Sequence, residues 1–216
     1  KSVVGDYIRL AGLDYNLGDV TLKAGQFLTP RAIGLLASMN CPWVHVRRKP
    51  RIAILATGNE IVMPGETLGP NQIISANTHA LAAAVKSYGG EAINLGVARD
   101  DTTAIRTLAE KSKSSDILIT TGGASVGDYD LVQTALGEIG LELDFWKIAM
   151  RPGKPLIFGK IGNTHFFGLP GNPVSALVCA LIFIRPAVLR MLSYEKLSPT
   201  LLRVPISQPL GENDER

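Results

Sequence analysis

From Arg51 onward, short runs of β-branched and apolar residues alternate with stretches of helical period. That alternation restricts the chain to a sheet whose neighbouring strands are joined through helices. Ile52 to Ala56 predicts a buried strand, and Asn77 to Tyr88 a helix with Asn77 as its N-cap and Gly89-Gly90 as its stop. Ala92 to Val97 predicts the next strand, Thr102 to Lys111 the next helix, and Ile117 to Thr121 a strand with an apolar centre. A helix from Leu131 to Ile139 follows, then the segment Leu141 to Ala149 and a hairpin of Leu156–Gly159 with Thr164–Gly168 around Gly162-Asn163. A long apolar helix, Asn172 to Leu192, closes the unit. The fold class is therefore α/β: a three-layer sandwich around a mostly parallel sheet.

The flanks break the pattern. Residues 1–50 carry Gly5, Gly12, Gly18 and Gly25 between short apolar runs, with no helical period before Pro30–Met39, and are expected to form part of a β-rich flanking module. The α/β domain spans 51–192, and 193–216, with one expected strand at Leu201–Ile206, is the start of a further β domain. Both ends are expected to be cut from something larger. With 46% hydrophobic residues over 216, the chain can bury a core and is not a disordered one. Its longest unbroken apolar stretch, Ala176 to Ile184, is nine residues, against the roughly 20 of a membrane span. No basic-then-apolar leader is present, so a soluble cytoplasmic protein is expected, with no membrane partner. Cys41 and Cys179 are far apart and unaccompanied by histidine, which argues against a disulfide framework or a structural zinc site.

Charge is unevenly placed. Residues 1–50 hold seven bases and three acids, whereas residues 51–192 hold twelve of each. Arg47, Arg48, Lys49 and Arg51 supply most of the excess and are expected to be a solvated linker edge, not a nucleic-acid surface.

In an open α/β sheet, ligands bind beyond the carboxyl ends of the strands. The segments there are Thr57-Gly58-Asn59-Glu60, Arg99-Asp100-Asp101, Thr121 to Asp130, Arg151-Pro152-Gly153-Lys154-Pro155 and Leu169 to Ser175. Gly122, Gly123 and Gly127 let backbone N–H groups approach an oxyanion, with Thr120, Thr121 and Ser125 hydroxyls beside them, although a plain glycine turn has the same spacing. Neither a P-loop nor a dinucleotide fingerprint is present. Asn172 and Pro173 fit the cap and first position of a helix, and Ser175 falls in its first turn, where an anion is favoured or a helix simply begins. Lys154, between Gly153 and Pro155 and three residues from Arg151, suits an oxyanion substrate. Glu60, Asp100, Asp101, Asp128 and Asp130 are candidate Mg²⁺ ligands, although Asp100 or Asp101, the latter above all, is also suited to cap the helix at Thr102. His45, His79 and His165 are scattered and are read as structural.

Taken together, ATGNEIV (56–62), INLGVARDD (93–101), TTGGASVGDYD (120–130), FWKIAMRPGKPLIFGK (145–160) and FFGLPGNPVSA (166–176) resemble one family, the molybdenum insertases of molybdenum cofactor synthesis: MoeA in bacteria and the gephyrin E-domain in animals. The resemblance implies a molybdopterin-binding domain that takes adenylylated molybdopterin and molybdate, hydrolyses the adenylate with Mg²⁺ and releases molybdenum cofactor and AMP. It implies that Asp100 and Asp130 bind Mg²⁺ and the adenylate phosphate. Gly122, Gly123, Ser125 and Gly127 would line the pterin-nucleotide site, with Gly171, Asn172 and Pro173 beside it. Lys154, Pro155 and Ser175 would hold molybdate, and Glu60 occupies a further acidic position of the family. Arg151 stands where the family commonly has Lys, keeping the charge but presenting a planar fork. The same resemblance implies a homodimer in the full-length protein and a molybdopterin adenylyltransferase as pathway partner. It also implies that an elongated N-terminal module and most of a C-terminal β-barrel are missing here. The adenylylating step of the pathway and a gephyrin-like scaffold binding receptor tails are the competing readings. Molybdenum ends on the dithiolene sulfurs of the pterin, so such a protein needs cationic donors and carboxylates but no soft thiolate.

Overall fold

The structure, a computed structural model, describes residues 2–122, 128–199 and 201–209, with residues 128–130 described by backbone alone. The chain divides into two compact units, Lys1–Val46 and Arg47–Arg216. The first holds one helix, α1 (Pro30–Ser38), whose cap Thr29 accepts a hydrogen bond from the Ala32 N–H at 3.2 Å. Its described residues contain no strand, so the β-rich character expected of this flank is not found. Gly5, Gly12, Gly18 and Gly25 all have positive φ, between +80° and +102°, and turn the chain every six or seven residues, too often for a ladder to form. Residues 201–209 likewise carry no strand where Leu201–Ile206 was expected, because no neighbouring strand pairs with them.

In the second unit the strands are β1 (Arg51–Thr57), β2 (Ile61–Val62), β3 (Ile73–Ile74), β4 (Glu91–Ala98), β5 (Ile117–Thr121), β6 (Leu141–Trp146), β7 (Ile157–Ile161) and β8 (Thr164–Leu169). The helices are α2 (Asn77–Ser87), α3 (Thr102–Ala109), α4 (Asp128–Gly137), α5 (Pro173–Cys179) and α6 (Arg185–Met191). Six strands form one sheet in the order β4-β1-β5-β8-β7-β6, parallel from β4 to β8 and antiparallel across β8-β7-β6. The mostly parallel three-layer α/β sandwich is thus present, with β2 and β3 as a small added pair that the sequence pattern was too short to announce.

Strand periodicity divides the core in two. Ile52 and Ile54 of β1 point to one face with Ile117 and Ile119, against Leu81 and Val85 of α2 and the final helix. Ala53, Leu55 and Leu118 point to the other, against Ile105 of α3 and Val132, Ala135 and Leu136 of α4. Each fully buried Ile or Leu contributes about 1.5–3 kcal/mol of transfer free energy.

The final helix runs Pro173–Met191, with a π-helical turn, Ala180–Ile184, between α5 and α6. Pro186 has no N–H to give and its ring crowds the preceding turn, which the wider turn relieves. By length and composition alone this helix could cross a membrane, at mean hydropathy 1.9, a longer apolar element than the nine-residue run suggested. Its Ala176, Cys179, Ala180, Ile184 and Val188 are nonetheless buried in the sheet's own core.

The basic run is not simply a solvated edge. Arg48 places its two guanidinium nitrogens 2.7 and 2.6 Å from the two carboxylate oxygens of Asp116, and the Arg51 N–H donates to the same carboxylate at 2.7 Å. The Arg48 guanidinium holds Asp116 below the usual carboxylate range, and the pair ties the entry of β1 to the entry of β5.

Candidate functional site

The chain order β1, β4, β5 sets β4 on one side of β1 and β5 on the other, so the topological switch point lies between β1 and β5. Register fixes what gathers there. Thr57 pairs with Ala98, Ala56 with Thr121, and Thr121 with Leu169, so four parallel strands end level. Ile157, where β7 begins, lies opposite Gly168 near the end of β8, which brings the Arg151–Pro155 turn to the same edge. All five polar segments singled out in sequence therefore leave the sheet at one edge.

At the β1–β4 side, Asp100 and Asn59 grip each other. The Asn59 N–H donates to Asp100 Oδ2 at 3.0 Å, and the Asp100 N–H donates to Asn59 Oδ1 at 3.3 Å. Asp101 is committed elsewhere: its carboxylate accepts from the Ala104 N–H at 2.7 Å and caps α3. The Glu60 carboxylate folds back over Gly58, whose added Cβ would meet it at 2.6 Å. Among the described residues no group of three or more His, Cys, Asp or Glu side chains gathers to hold a metal. Asp100, a hard oxygen donor steadied by a main-chain N–H, still suits Mg²⁺, which takes one or two carboxylates and completes its shell with water and phosphate oxygens.

At the switch point Gly122 has φ +95°, and a Cβ there would lie 2.2 Å from the Thr57 carbonyl oxygen. Only glycine lets β5 leave its strand so close to β1. Thr57 itself is fully buried, and its hydroxyl has no hydrogen-bond partner among the described residues. Gly123, Ser125 and Gly127 lie outside the described residues, as does the side chain of Asp130; its backbone belongs to the first turn of α4.

The β8 loop delivers the final helix as anticipated. Asn172 is the N-cap, accepting from the Ser175 N–H at 3.1 Å, Pro173 is the first helical residue, and Ser175 sits half-buried in the first turn. Its hydroxyl lies 3.4 Å from the same Asn172 oxygen. Gly171 packs on Gly122, an added Cβ lying 3.5 Å from the Gly122 Cα. The Arg151–Pro155 turn rests against this helix: a Cβ on Gly153 would meet Cys179 Sγ at 2.9 Å and Met150 Cε at 2.3 Å. Cys179 lies one helical turn beyond Ser175, so Lys154 and Ser175 belong to segments that touch. Lys154 is exposed and forms no ion pair among the described residues, and Arg151 and Pro155 flank it in the turn. Burial pushes the Cys179 thiol above its ordinary range, which leaves it a packing group and no thiolate ligand.

Sequence reasoning missed two asparagines. Asn77 does not cap α2; the cap position is Ala76, and the Asn77 amide reaches out of the helix to Thr121 and Gly171. Asn59 was part of a recognised segment but had no role until its exchange with Asp100 was seen. Of the histidines, His165 stacks on Phe158 at 6.2 Å, in keeping with a structural role.

The sequence profile of the family described as "Probable molybdopterin binding domain" matches residues 53–190. The chain is similar to a molybdopterin molybdenumtransferase of Nostoc sp., 39% identical over 87% of this chain and 44% of the relative. It is also similar to molybdopterin molybdenumtransferase 2 of Mycobacterium tuberculosis, 33% identical over 100% of this chain and 56% of the relative. The chain spans about half the length of the curated relatives it matches. Among solved structures, the molybdopterin biosynthesis moea protein of Pyrococcus horikosii superimposes with TM-score 0.73 at 40% identity, covering 81% of this chain and 44% of that one. A molybdenum cofactor biosynthesis protein B shares the fold alone, with TM-score 0.51 at 16% identity over 68% of this chain and 96% of that one.

Proposed function

We propose, on the premise that this chain belongs to the molybdopterin-binding domain family, that it is the substrate-binding core of a molybdenumtransferase of molybdenum cofactor biosynthesis. Its substrates are adenylylated molybdopterin and molybdate, and its products are molybdenum cofactor and AMP. The observation that carries this reading is the convergence, on one sheet edge, of a steadied carboxylate, a glycine-lined switch point and a cationic turn packed on a capped helix. The names of the relatives support the transferase reading over adenylylation, whose likeness is one of fold.

In the reaction, water adds to phosphorus, the anhydride P–O bond to AMP breaks, and the departing phosphate oxygen carries charge that the site must accept. Asp100 and Asp130 would hold Mg²⁺, which when bound supplies neutralisation of charge on the adenylate phosphates. Asn59 keeps the Asp100 carboxylate in place through its main-chain N–H. Gly122 offers a close backbone approach to a flat pterin nucleotide, and Gly123, Ser125 and Gly127 would line the same site. Lys154, Pro155 and Ser175 receive molybdate, Arg151 adds a second cation, and Gly171, Asn172 and Pro173 set the helix start against which the oxyanion rests. Glu60 is a further acidic group at the edge.

The full-length protein works as a cytoplasmic homodimer and receives its adenylylated substrate from a molybdopterin adenylyltransferase. The test is incubation with adenylylated molybdopterin, Mg²⁺ and molybdate while AMP is followed chromatographically. Stoichiometric AMP with cofactor formation supports the reading, and no AMP from the full-length protein overturns it.

A further inference from the structure

Asn77 is 44 residues from Thr121 and 94 from Gly171, yet its one amide joins them. Its Nδ2 donates to Thr121 Oγ1 at 2.9 Å and to the Gly171 carbonyl at 2.7 Å, and Thr121 Oγ1 in turn donates to the Pro170 carbonyl at 3.3 Å. The hydrogens account for themselves. Gly171 O can only accept, which assigns that end of the side chain as the NH₂, and its two protons serve two acceptors while the hydroxyl spends its single proton on a third. The Asn77 side chain therefore has one orientation, and it is not the one a helix cap would use.

The two groups it joins lie at the exits of strands that build the site, and Asn77 itself begins a helix beside them. Thr121 is the last residue of β5, immediately before Gly122; Gly171 immediately precedes the cap Asn172 and the turn bearing Ser175; Asn77 is the first residue of α2. Gly122 and Gly171 have no side chains with which to hold each other, and they meet closely. Some other group must set their separation, and among the described residues the Asn77 amide and the Thr121 hydroxyl, itself bonded to the Pro170 carbonyl, together bond across both loops.

We propose that Asn77, acting with Thr121, is a positioning residue for ligand binding: it clasps the β5 exit to the β8 exit and so fixes the spacing between the pterin-nucleotide loop and the molybdate-receiving helix start. The inference rests on the functional reading above, since the ligands are those of that reading. It assigns Asn77 no contact with them.

The clasp is tested with N77D, which keeps the side-chain shape but loses both donors, with N77A, and with the pair T121V and T121S. Affinities for adenylylated molybdopterin and for molybdate alone are measured by titration calorimetry, melting temperature is recorded, and amide hydrogen exchange of residues 120–122 and 171–172 is followed without ligand. N77D, N77A and T121V are expected to weaken adenylylated molybdopterin at least tenfold and to speed exchange at those amides, while exchange in β4 stays as in the wild type. T121S, which retains the hydroxyl, restores wild-type affinity, and N77A combined with T121V binds no more weakly than either alone. Wild-type affinity in both N77D and T121V overturns the clasp, and so do fully additive losses. Should N77D fail to fold, the contrast of T121V with T121S decides alone. A wild-type protein that binds no adenylylated molybdopterin overturns the functional reading and this inference with it, whereas a binding wild type with unaffected variants overturns the clasp only.

Discussion

At the scale of single residues, charge does two different jobs at opposite edges of the sheet. Asp116, at the strands' amino ends, is stabilised as a carboxylate by the two-pronged contact of Arg48 and by the Arg51 N–H. Its depressed pKa means that the stabilisation is complete above the ordinary carboxylate value of about 4 and fades as pH falls through the depressed one. Arg48 remains largely solvated, so D116N is expected to cost about 1 kcal/mol at neutral pH. Thermal melts of the two proteins should converge as the medium is acidified, and a constant gap down to strong acid contradicts the assignment. At the carboxyl edge Asp100 is held by the Asn59 N–H, and the proposed function gives it a use there instead. D100N keeps an oxygen to accept the Asn59 N–H, so its melting temperature should match the wild type while AMP release falls at least a hundredfold. A parallel loss of melting temperature shows that the carboxylate is structural. Lys154, exposed in a turn anchored by Gly153, is expected on substitution by Ala to raise the molybdate concentration for half-maximal turnover about tenfold, with pterin-nucleotide affinity nearly unchanged, since a single cation facing an oxyanion is worth one to two kcal/mol. Equal loss of both affinities removes it from the molybdate site.

At the scale of elements, the final helix poses the sharpest question, because Pro173–Met191 has the length and mean hydropathy of a membrane span. What distinguishes it is that its two faces differ: Ile184 is fully buried against the sheet, whereas Leu181, three residues earlier, is 47% exposed. I184A is therefore expected to cost 2–5 kcal/mol in denaturant unfolding, and L181Q less than about 1 kcal/mol. The reverse ranking means that the helix is held by something other than this core. The same helix shows what was legible in the sequence. Its cap, its proline start and its apolar face were readable because each depends on neighbours within four residues, and the strands β1 and β5 were readable because full burial demands short, almost wholly apolar runs. The five edge segments could be named in advance for the same reason: glycine and carboxylate after a strand are local signals. What could not be read depends on distant partners. Asn77 has the composition of a cap, and only the arrival of Thr121 and Gly171 from other strands gives its amide a better use. The glycines of residues 1–46 suggested short strands, but strands exist only where a partner pairs with them, and among the described residues of that unit none does. Arg48 was read as solvated because Asp116 is 68 residues away.

At the scale of the whole molecule, the proposed function raises the question of how a domain with no charge excess would attract a polyanion. Residues 51–192 carry equal numbers of bases and acids, so the long-range field around the sheet would contribute little to capture of the proposed adenylylated substrate. On the proposed function attraction would come from short-range placement: one edge holds a cation in a turn and a glycine at the switch point, with the Asp100 carboxylate beside them. Such an edge discriminates poorly at a distance and well at contact, because the sheet register sets where its segments leave the strands and binding spends little on ordering them. Two consequences can be measured together by stopped-flow observation of pterin fluorescence. The association rate constant is expected to change less than about threefold between low and physiological ionic strength, whereas steered association falls steeply over that range. Mg²⁺ chelation is expected to slow AMP release far more than it slows association, since on the proposed function the metal would complete charge neutralisation at the phosphates and would not draw the substrate in. A steep salt dependence of association transfers the recognition to the basic residues that precede Arg51, and with it the binding surface away from the carboxyl edge of the sheet.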